Sequence, residues 1–412
     1  MKIAIICSSF FPVIDGVTIA IFNRVKQLSK LGHQVKLFCP DYSSIAYIYP
    51  DWQDYTGYIV EGIEVINLPS TKSLALEFER DVTSKSYKTV IKELEEFKPD
   101  IIHVDEAERL GICFLKVPGV KFAREHNIPC VAWFHTNYID YFDDYFQLPF
   151  GINKLIKKLL ELLFAKIYNA YDLTLVSSSV TAQKLSSMNI NNVCCGELLG
   201  FDFDAFNNKE KQSNLLQQEY NLYGIENKVK LIFISRLTPD KGWNFAIEAF
   251  AKLPTETISK IAIIVAGDGE LKEKIENSLK RITPNVYLLG RISPQLVPSL
   301  LQVGDIFVTT SLKETRGLTL IEAAAAGEVA IASRAGGIID TIIDGETGLL
   351  YEPQNQKDFL DKLTLLINDA NLRNTMGAKA YQLAQQWSWQ NTVNNLVEIW
   401  LQQIELKNNL IQ

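Results

Sequence analysis

The chain has 412 residues, 47% of them apolar and 22% charged, and a net charge of −7. That length accommodates two or more cores, the composition is that of a globular protein, and the acidic balance argues against a general nucleic-acid binder. The six cysteines, Cys7, Cys39, Cys113, Cys130, Cys194 and Cys195, lie mostly in apolar runs without a CxxC or a Cys/His cluster. They read as buried thiols in a reducing compartment, and no metal site is expected. The opening MKIAIICSSFF has no small-residue cleavage pattern and reads as a strand, not a secretory signal. No stretch offers about 18 uninterrupted apolar residues, so no transmembrane helix is expected and the chain reads as cytoplasmic.

Lys2–Cys7 is a continuous apolar run, as a strand buried on both faces of a parallel sheet requires. The loop SSFFPVIDGVT leads into a helix over Ile19–Leu31, and Gln34–Cys39 reads as the second strand. This is a βαβ opening whose first loop, with Asp15 and Gly16, lies at the carboxyl edge where ligands sit in open α/β sheets. Strands are predicted over Gly57–Val60 and Ile63–Leu68, helices over Glu79–Phe97 and Leu110–His126, and buried strands over 99–104 and Cys130–Phe134. His135, one of four histidines, follows the last of these directly. A neutral imidazole there can donate to a ligand hydroxyl. His103 is a weaker candidate, and His33 and His126 read as structural.

The acidic, aromatic loop carrying Tyr138, Asp140, Tyr141, Phe142, Asp143, Asp144, Tyr145 and Phe146 is a candidate lid or acceptor contact. It leads into PFGINKLIKKLLELLFAKIY, residues 149–168. Ile152, Leu155, Ile156, Leu159, Leu163 and Ile167 form one apolar helical stripe, opposite Lys154, Lys157, Lys158 and Glu161. Two readings stay open: a helix lying on an anionic membrane, or a core helix with a solvated lysine face. Beyond Phe201 the chain turns polar as far as Asn227, which places a domain boundary near Gly200.

The second half repeats the pattern. A strand over Lys230–Ser235 ends in Arg236-Leu237-Thr238-Pro239-Asp240-Lys241-Gly242, ahead of a helix over Trp243–Leu253. Two cations on a loop at a strand's carboxyl end suit a diphosphate, Arg as a planar fork and Lys as a point charge. Ile261–Ala266 runs into the turn Gly267-Asp268-Gly269, and Val286–Leu289 into Gly290-Arg291-Ile292. The strand Asp305–Thr310 is followed by ETRGLTLIEAAAAG, residues 314–327. Gly317 there lets main-chain N–H groups approach a ligand closely. The fresh helix N-terminus at Leu318 and Thr319 adds partial positive charge suited to a phosphate. Three helices close the chain, over Gln356–Asn368, Asn371–Gln385 and from Ser388 onward.

The embedded Glu-x7-Glu, ET-x-G-L-x-L-x-E-A-x-A-x-G, resembles the motif of the retaining glycosyltransferases of family 4. The R-x4-K-G at Arg236–Gly242 resembles the same family, with Ser235 in place of its usual glycine. The resemblance implies a GT-B architecture: two Rossmann-like domains facing each other across a cleft, residues 1–200 for the acceptor and 201–387 for the donor. A final helix over 388–412 would cross back to the N-terminal domain. It also implies a metal-independent enzyme without cofactor, whose substrate is a nucleotide-sugar, with UDP favoured over GDP. Arg236, Lys241, Gly16 and Gly317–Thr319 would hold the diphosphate, and Arg291 and Ile292 would flank the base. Glu322 would hold the ribose, and Gly267, Asp268, Gly269 and Thr315 would line the donor site. Glu314 and His135 would hold the transferred sugar. Where the family has Gly-Gly the chain has Asp15-Gly16, which adds a charge and is taken as a hint about the acceptor.

D-G-V-T-x4-N and the basic helix resemble members that glycosylate diacylglycerol lipids, which implies peripheral membrane association. A soluble sugar or polysaccharide acceptor is the rival. A sugar-nucleotide epimerase and a non-catalytic sugar-nucleotide binder are other readings. A nicotinamide enzyme is disfavoured because no G-x-G-x-x-G follows the first strand.

Overall fold

The computed structural model describes residues 1–73, 79–135, 150–196, 198, 200–207, 219–220, 222–314 and 316–409. The loop from Tyr138 to Phe146, the site candidate Thr315 and most of the polar stretch after Asn207 lie outside the described residues. The chain forms two compact units, Met1–Gly200 with Trp389–Gln412, and Phe201–Ser388.

The first unit is built on an eight-stranded sheet. Its strands are β1 (Lys2–Cys7), β2 (Gln34–Pro40), β3 (Gly57–Val60), β4 (Ile63–Leu68), β7 (Ile101–Asp105), β8 (Cys130–Trp133), β9 (Leu173–Val176) and β10 (Val193–Cys195). They lie in the order β10-β9-β8-β7-β1-β2-β4-β3, and only β3 runs antiparallel to its neighbour. Two short strands, β5 (Ser70–Lys72) and β6 (Arg80–Val82), pair separately. The helices are α1 (Gly16–Lys30), α2 (Tyr87–Phe97), α3 (Ala107–Phe114), α4 (Val120–His126), α5 (Phe150–Tyr168) and α6 (Ser179–Ser187). Strand order reverses between β1 and β7, so the loops after them flank a topological switch point.

Three expectations need correction here. The helix read over Glu79–Phe97 begins only at Tyr87, because Arg80–Val82 is a strand. The helix read over Leu110–His126 is two helices. Leu115 and Gly119 take left-handed angles (φ 56° and 75°) around Pro118, which cannot donate into a helical ladder. The first helix starts at Gly16 and not Ile19, since Asp15 and Thr18 form a reciprocal cap.

The second unit holds a six-stranded, wholly parallel sheet in the order β13-β12-β11-β14-β15-β16. These strands are β11 (Val229–Ile234), β12 (Ile261–Ala266), β13 (Val286–Gly290), β14 (Ile306–Val308), β15 (Val329–Ser333) and β16 (Gly348–Tyr351). Its helices are α7 (Asp204–Asn207), α8 (Trp243–Phe250), α9 (Thr255–Ser259), α10 (Lys272–Lys280) and α11 (Val297–Val303), then α12 (Leu318–Ala326), α13 (Gln356–Asn368) and α14 (Ala370–Ala384). β12 is buried along its whole length, as a strand covered by helices on both faces must be. Order reverses between β11 and β14, a second switch point.

The last helix, α15 (Trp389–Asn409), belongs to the first unit, where its buried Trp400 meets His103 with ring centroids 5.3 Å apart. Both sheets have the doubly wound character expected of Rossmann-like domains.

Candidate active site

At the switch point of the second unit, two loops converge. The first runs from β11 to α8. Gly242 (φ 73°) lies so close to the end of β14 that a Cβ would sit 2.2 Å from the Thr310 carbonyl oxygen. Only glycine fits that angle and that gap together. Thr310 Oγ1 donates to the Lys241 carbonyl at 2.9 Å, joining the loop to the end of the neighbouring strand β14. The turn after β12 adds a second close approach, since a Cβ on Gly267 would sit 1.8 Å from the Ser235 carbonyl. Leu237 N donates to the Asp268 carbonyl at 2.9 Å, so Gly267-Asp268-Gly269 braces the cationic loop.

The second loop runs from β14 to α12. Lys241 Nζ lies 2.6 Å from Glu314 Oε1 and 3.8 Å from Asp240 Oδ2. Asp240 also accepts from Arg236 Nη2 at 3.2 Å and from Thr238 Oγ1 at 2.6 Å. The main chain of Glu314 is held from the other side, its carbonyl accepting from Gly337 N at 2.7 Å. Arg236, Lys241 and Glu314 thus share one charged network. Arg316 is buried, its guanidinium 5.5 Å from the Trp387 ring centroid, and Thr341 Oγ1 donates to its carbonyl at 3.0 Å. The sequence places Arg316 in a loop expected to choose among sugars, and its charge gives no sign of this anchoring role.

Gly317 (φ 79°) caps α12 with no side-chain bond and its carbonyl accepts from Leu320 N at 3.0 Å, so the N–H groups of Leu318 and Thr319 are without an acceptor among the described residues. Glu322 is half-buried on its second turn, and desolvation pushes its carboxyl up to about 7. Arg291 is exposed just beyond β13, with Ile292 packed onto the core beside it.

In the first unit, Gly16 is the first residue of α1, and Asp15 is its N-cap. Asp15 Oδ1 accepts from Thr18 N at 2.8 Å. The carboxylate that looked like an acceptor hint is therefore engaged in starting the helix. His135 Nε2 lies 2.6 Å from Asp105 Oδ1 at the end of β7, and the imidazole stacks on Trp133 (4.7 Å, 15°). Asp105 is fully buried, and its carboxyl is held well below the usual range. Burial opposes that shift, but it is outweighed by the Arg24 guanidinium and by the hydrogen bond from His135. His103 is fully buried between Arg24, Trp133 and Trp400, and burial lowers its pKa to about 4, so it is neutral. Neither Asp105 nor Arg24 was among the expected site residues.

Residues 14–194 match the family model for Glycosyltransferase Family 4, and residues 218–383 match that for Glycosyl transferases group 1. The chain belongs to the GT-B glycosyltransferases. It is 26% identical to the alpha-monoglucosyldiacylglycerol synthase of Streptococcus pneumoniae, over 93% of this chain and 82% of that protein. It is 29% identical to the sulfoquinovosyl transferase SQD2 of Arabidopsis thaliana, over 73% of this chain and 56% of that protein. A third relative, the GDP-mannose-dependent alpha-mannosyltransferase of Corynebacterium glutamicum, is 25% identical over 100% of this chain and 91% of its own length. Among solved structures, Anabaena HepE in complex with UDP shares the fold with a TM-score of 0.72 at 17% identity, covering 97% of this chain and 99% of that one. The Thermosynechococcus elongatus sucrose-phosphate synthase does so at 0.73 and 18%, covering 97% and 98%. The glycosyltransferase thus carries its Glu314–Lys241 pair on the group 1 half and its His135–Asp105 pair on the family 4 half.

Proposed function

We propose that this glycosyltransferase moves a hexose, with retention and without a metal, from a UDP-sugar to a hydroxyl of a diacylglycerol-type lipid. The observation that carries the donor reading is the meeting of Lys241 and Glu314 beside the open N-terminus of α12. Arg236, Lys241 and the N–H groups at Gly317–Thr319 bind the diphosphate and stabilise it as it leaves with growing negative charge. Glu322 accepts from the ribose hydroxyls. Gly267, Asp268 and Gly269 brace the loop, and Arg291 and Ile292 flank the base. Glu314 holds sugar hydroxyls once Lys241 has turned to phosphate. The acceptor hydroxyl loses its proton to a leaving phosphate oxygen, so no carboxylate nucleophile takes part.

The lipid reading rests on α5. Its C-terminal end is anchored by buried Phe164, Ile167 and Tyr168, the last donating to Glu108 on α3. Along the rest of the helix Leu155, Leu159 and Leu162 are 62%, 57% and 56% exposed, next to exposed Lys154, Lys158 and Lys166. Leucines exposed among lysines suit an anionic membrane surface and not a core. None of the described helices is long and apolar enough to cross a membrane, so contact through α5 would be peripheral. Two of the relatives are named for diacylglycerol and sulfoquinovose transfer.

The test is release of UDP or GDP from a panel of sugar nucleotides, with diacylglycerol liposomes and with soluble sugars. Release of UDP that needs liposomes supports the whole reading. Release with soluble acceptors alone removes the lipid, and no release from any donor removes the transfer.

A further inference from the structure

Asp105 and Arg24 lie at the switch point of the first unit, fully or almost fully buried, and Asp105 bridges Arg24 Nη2 and the His135 ring. An ionised carboxylate only accepts hydrogen bonds, and an arginine only donates. The 2.6 Å contact between His135 Nε2 and Asp105 Oδ1 therefore requires the proton on Nε2. In the neutral ring that leaves Nδ1 as a bare lone pair, and Nδ1 has no partner among the described residues. A ligand reaching Nδ1 would meet an acceptor, where the sequence reading expected a donor.

We propose that Asp105 is a positioning residue for His135: it locks the imidazole as the Nε2–H tautomer, so that Nδ1 accepts a hydrogen bond from a hydroxyl of the sugar substrate. This rests on the sugar-transfer reading for the identity of the ligand, but not for the tautomer. The groups facing the pair are Arg24 from α1, His103 from β7 and Trp133 from β8. Arg24 donates to His103 Nε2 at 3.1 Å while also paired to Asp105, and its guanidinium lies 5.0 Å from the Trp133 ring centroid. Arg24 from α1 thereby holds Asp105 through Oδ2, which leaves Oδ1 to face His135. Such partners of working histidines set tautomer and ring orientation together.

The first arm of the test is spectroscopic and needs no substrate. Long-range proton–nitrogen correlation spectra of histidine-labelled full-length protein are recorded well above the ordinary histidine pKa of about 6.5, and His135 is assigned by the signal lost in His135→Gln. A single tautomer protonated on Nε2 is expected. A proton on Nδ1, or an average of both tautomers, overturns the proposal, and this holds even if Asp105 variants do not fold. The second arm follows UDP release from UDP-glucose with diacylglycerol liposomes at one pH. Asp105→Asn is expected to lower kcat by roughly tenfold to a hundredfold, with a smaller change in KM. A purely structural Asp105 would lower the amount of folded enzyme and leave kcat per folded molecule unchanged, which also overturns the proposal. If wild-type protein releases no UDP from UDP-glucose while His135 holds a single Nε2–H tautomer, the transfer reading fails for that donor and the positioning role stands.

Discussion

Lys241 and Glu314 stand 73 positions apart, yet Lys241 Nζ lies 2.6 Å from Glu314 Oε1, with neither side chain fully buried. Each cancels much of the other's charge. In the proposed function, a diphosphate arriving at the N-terminus of α12 would compete with Glu314 for Lys241, and the freed carboxylate would accept from sugar hydroxyls. Lys241→Ala is expected to lower kcat at least about a hundredfold, the effect of deleting a donor aimed at developing negative charge. Glu314→Ala is expected to do the same by releasing the sugar. Steady-state kinetics beside a circular dichroism melt checks both. Wild-type turnover in either variant removes the assignment.

The ribose contact proposed for Glu322 carries a pH dependence. Burial raises its carboxyl to about 7, so it is substantially protonated in mildly acid solution. Ribose hydroxyls donate best to the ionised form. UDP affinity is therefore expected to weaken as pH falls through about 7. In Glu322→Gln the affinity should be lower at high pH and flat across the range. Calorimetric titration of UDP at several pH values decides it.

Glu328 lies between α12 and β15, buried, and neither carboxylate oxygen has a hydrogen-bond partner among the described residues. Burial raises its pKa well above the ordinary carboxylate value, Asp305 adds to the rise, and Lys230 opposes it. An acid kept neutral in the fold but ionised in the unfolded chain leaves stability intact below its unfolded pKa of about 4.5. That stability is lost as pH rises from there toward the folded pKa. Glu328→Gln cannot ionise, so thermal melts should show it more stable than wild type at alkaline pH and little changed in acid. Parallel melting curves for the two proteins at all pH values would contradict this.

The exposed leucines of α5 test the membrane reading without touching the core. Leu155→Ser with Leu159→Ser is expected to keep the melting temperature. Burying one leucine side chain is worth about 1.5–3 kcal/mol, so losing two from a bilayer contact should weaken liposome binding by at least roughly tenfold. Co-sedimentation with anionic liposomes measures it. Unchanged binding would return α5 to an ordinary surface helix.

Much of the doubly wound pattern was legible because buried parallel strands announce themselves as apolar runs, as in Lys2–Cys7 and Ile261–Ala266. The break between α3 and α4 was also written there, in Val117-Pro118-Gly119, and was overlooked beneath the apolar spacing around it. The α5 stripe left two readings open for another reason. Periodicity shows which residues share a face, but only packing shows which part of that face is covered, and here the cover is confined to the region of Phe164, Ile167 and Tyr168. The partners of the candidate site were the least legible. Asp105 reaches His135 across 30 positions and Arg24 across 81, contacts that no local pattern encodes.

The most direct measurement follows the sugar itself. A sugar nucleotide labelled in its hexose is incubated with the full-length protein and diacylglycerol liposomes, and the lipids are then extracted. Label in the lipid fraction, absent with Glu314→Ala, is the predicted result. Label that stays in the nucleotide, or appears only as free sugar with every donor tried, would contradict the account.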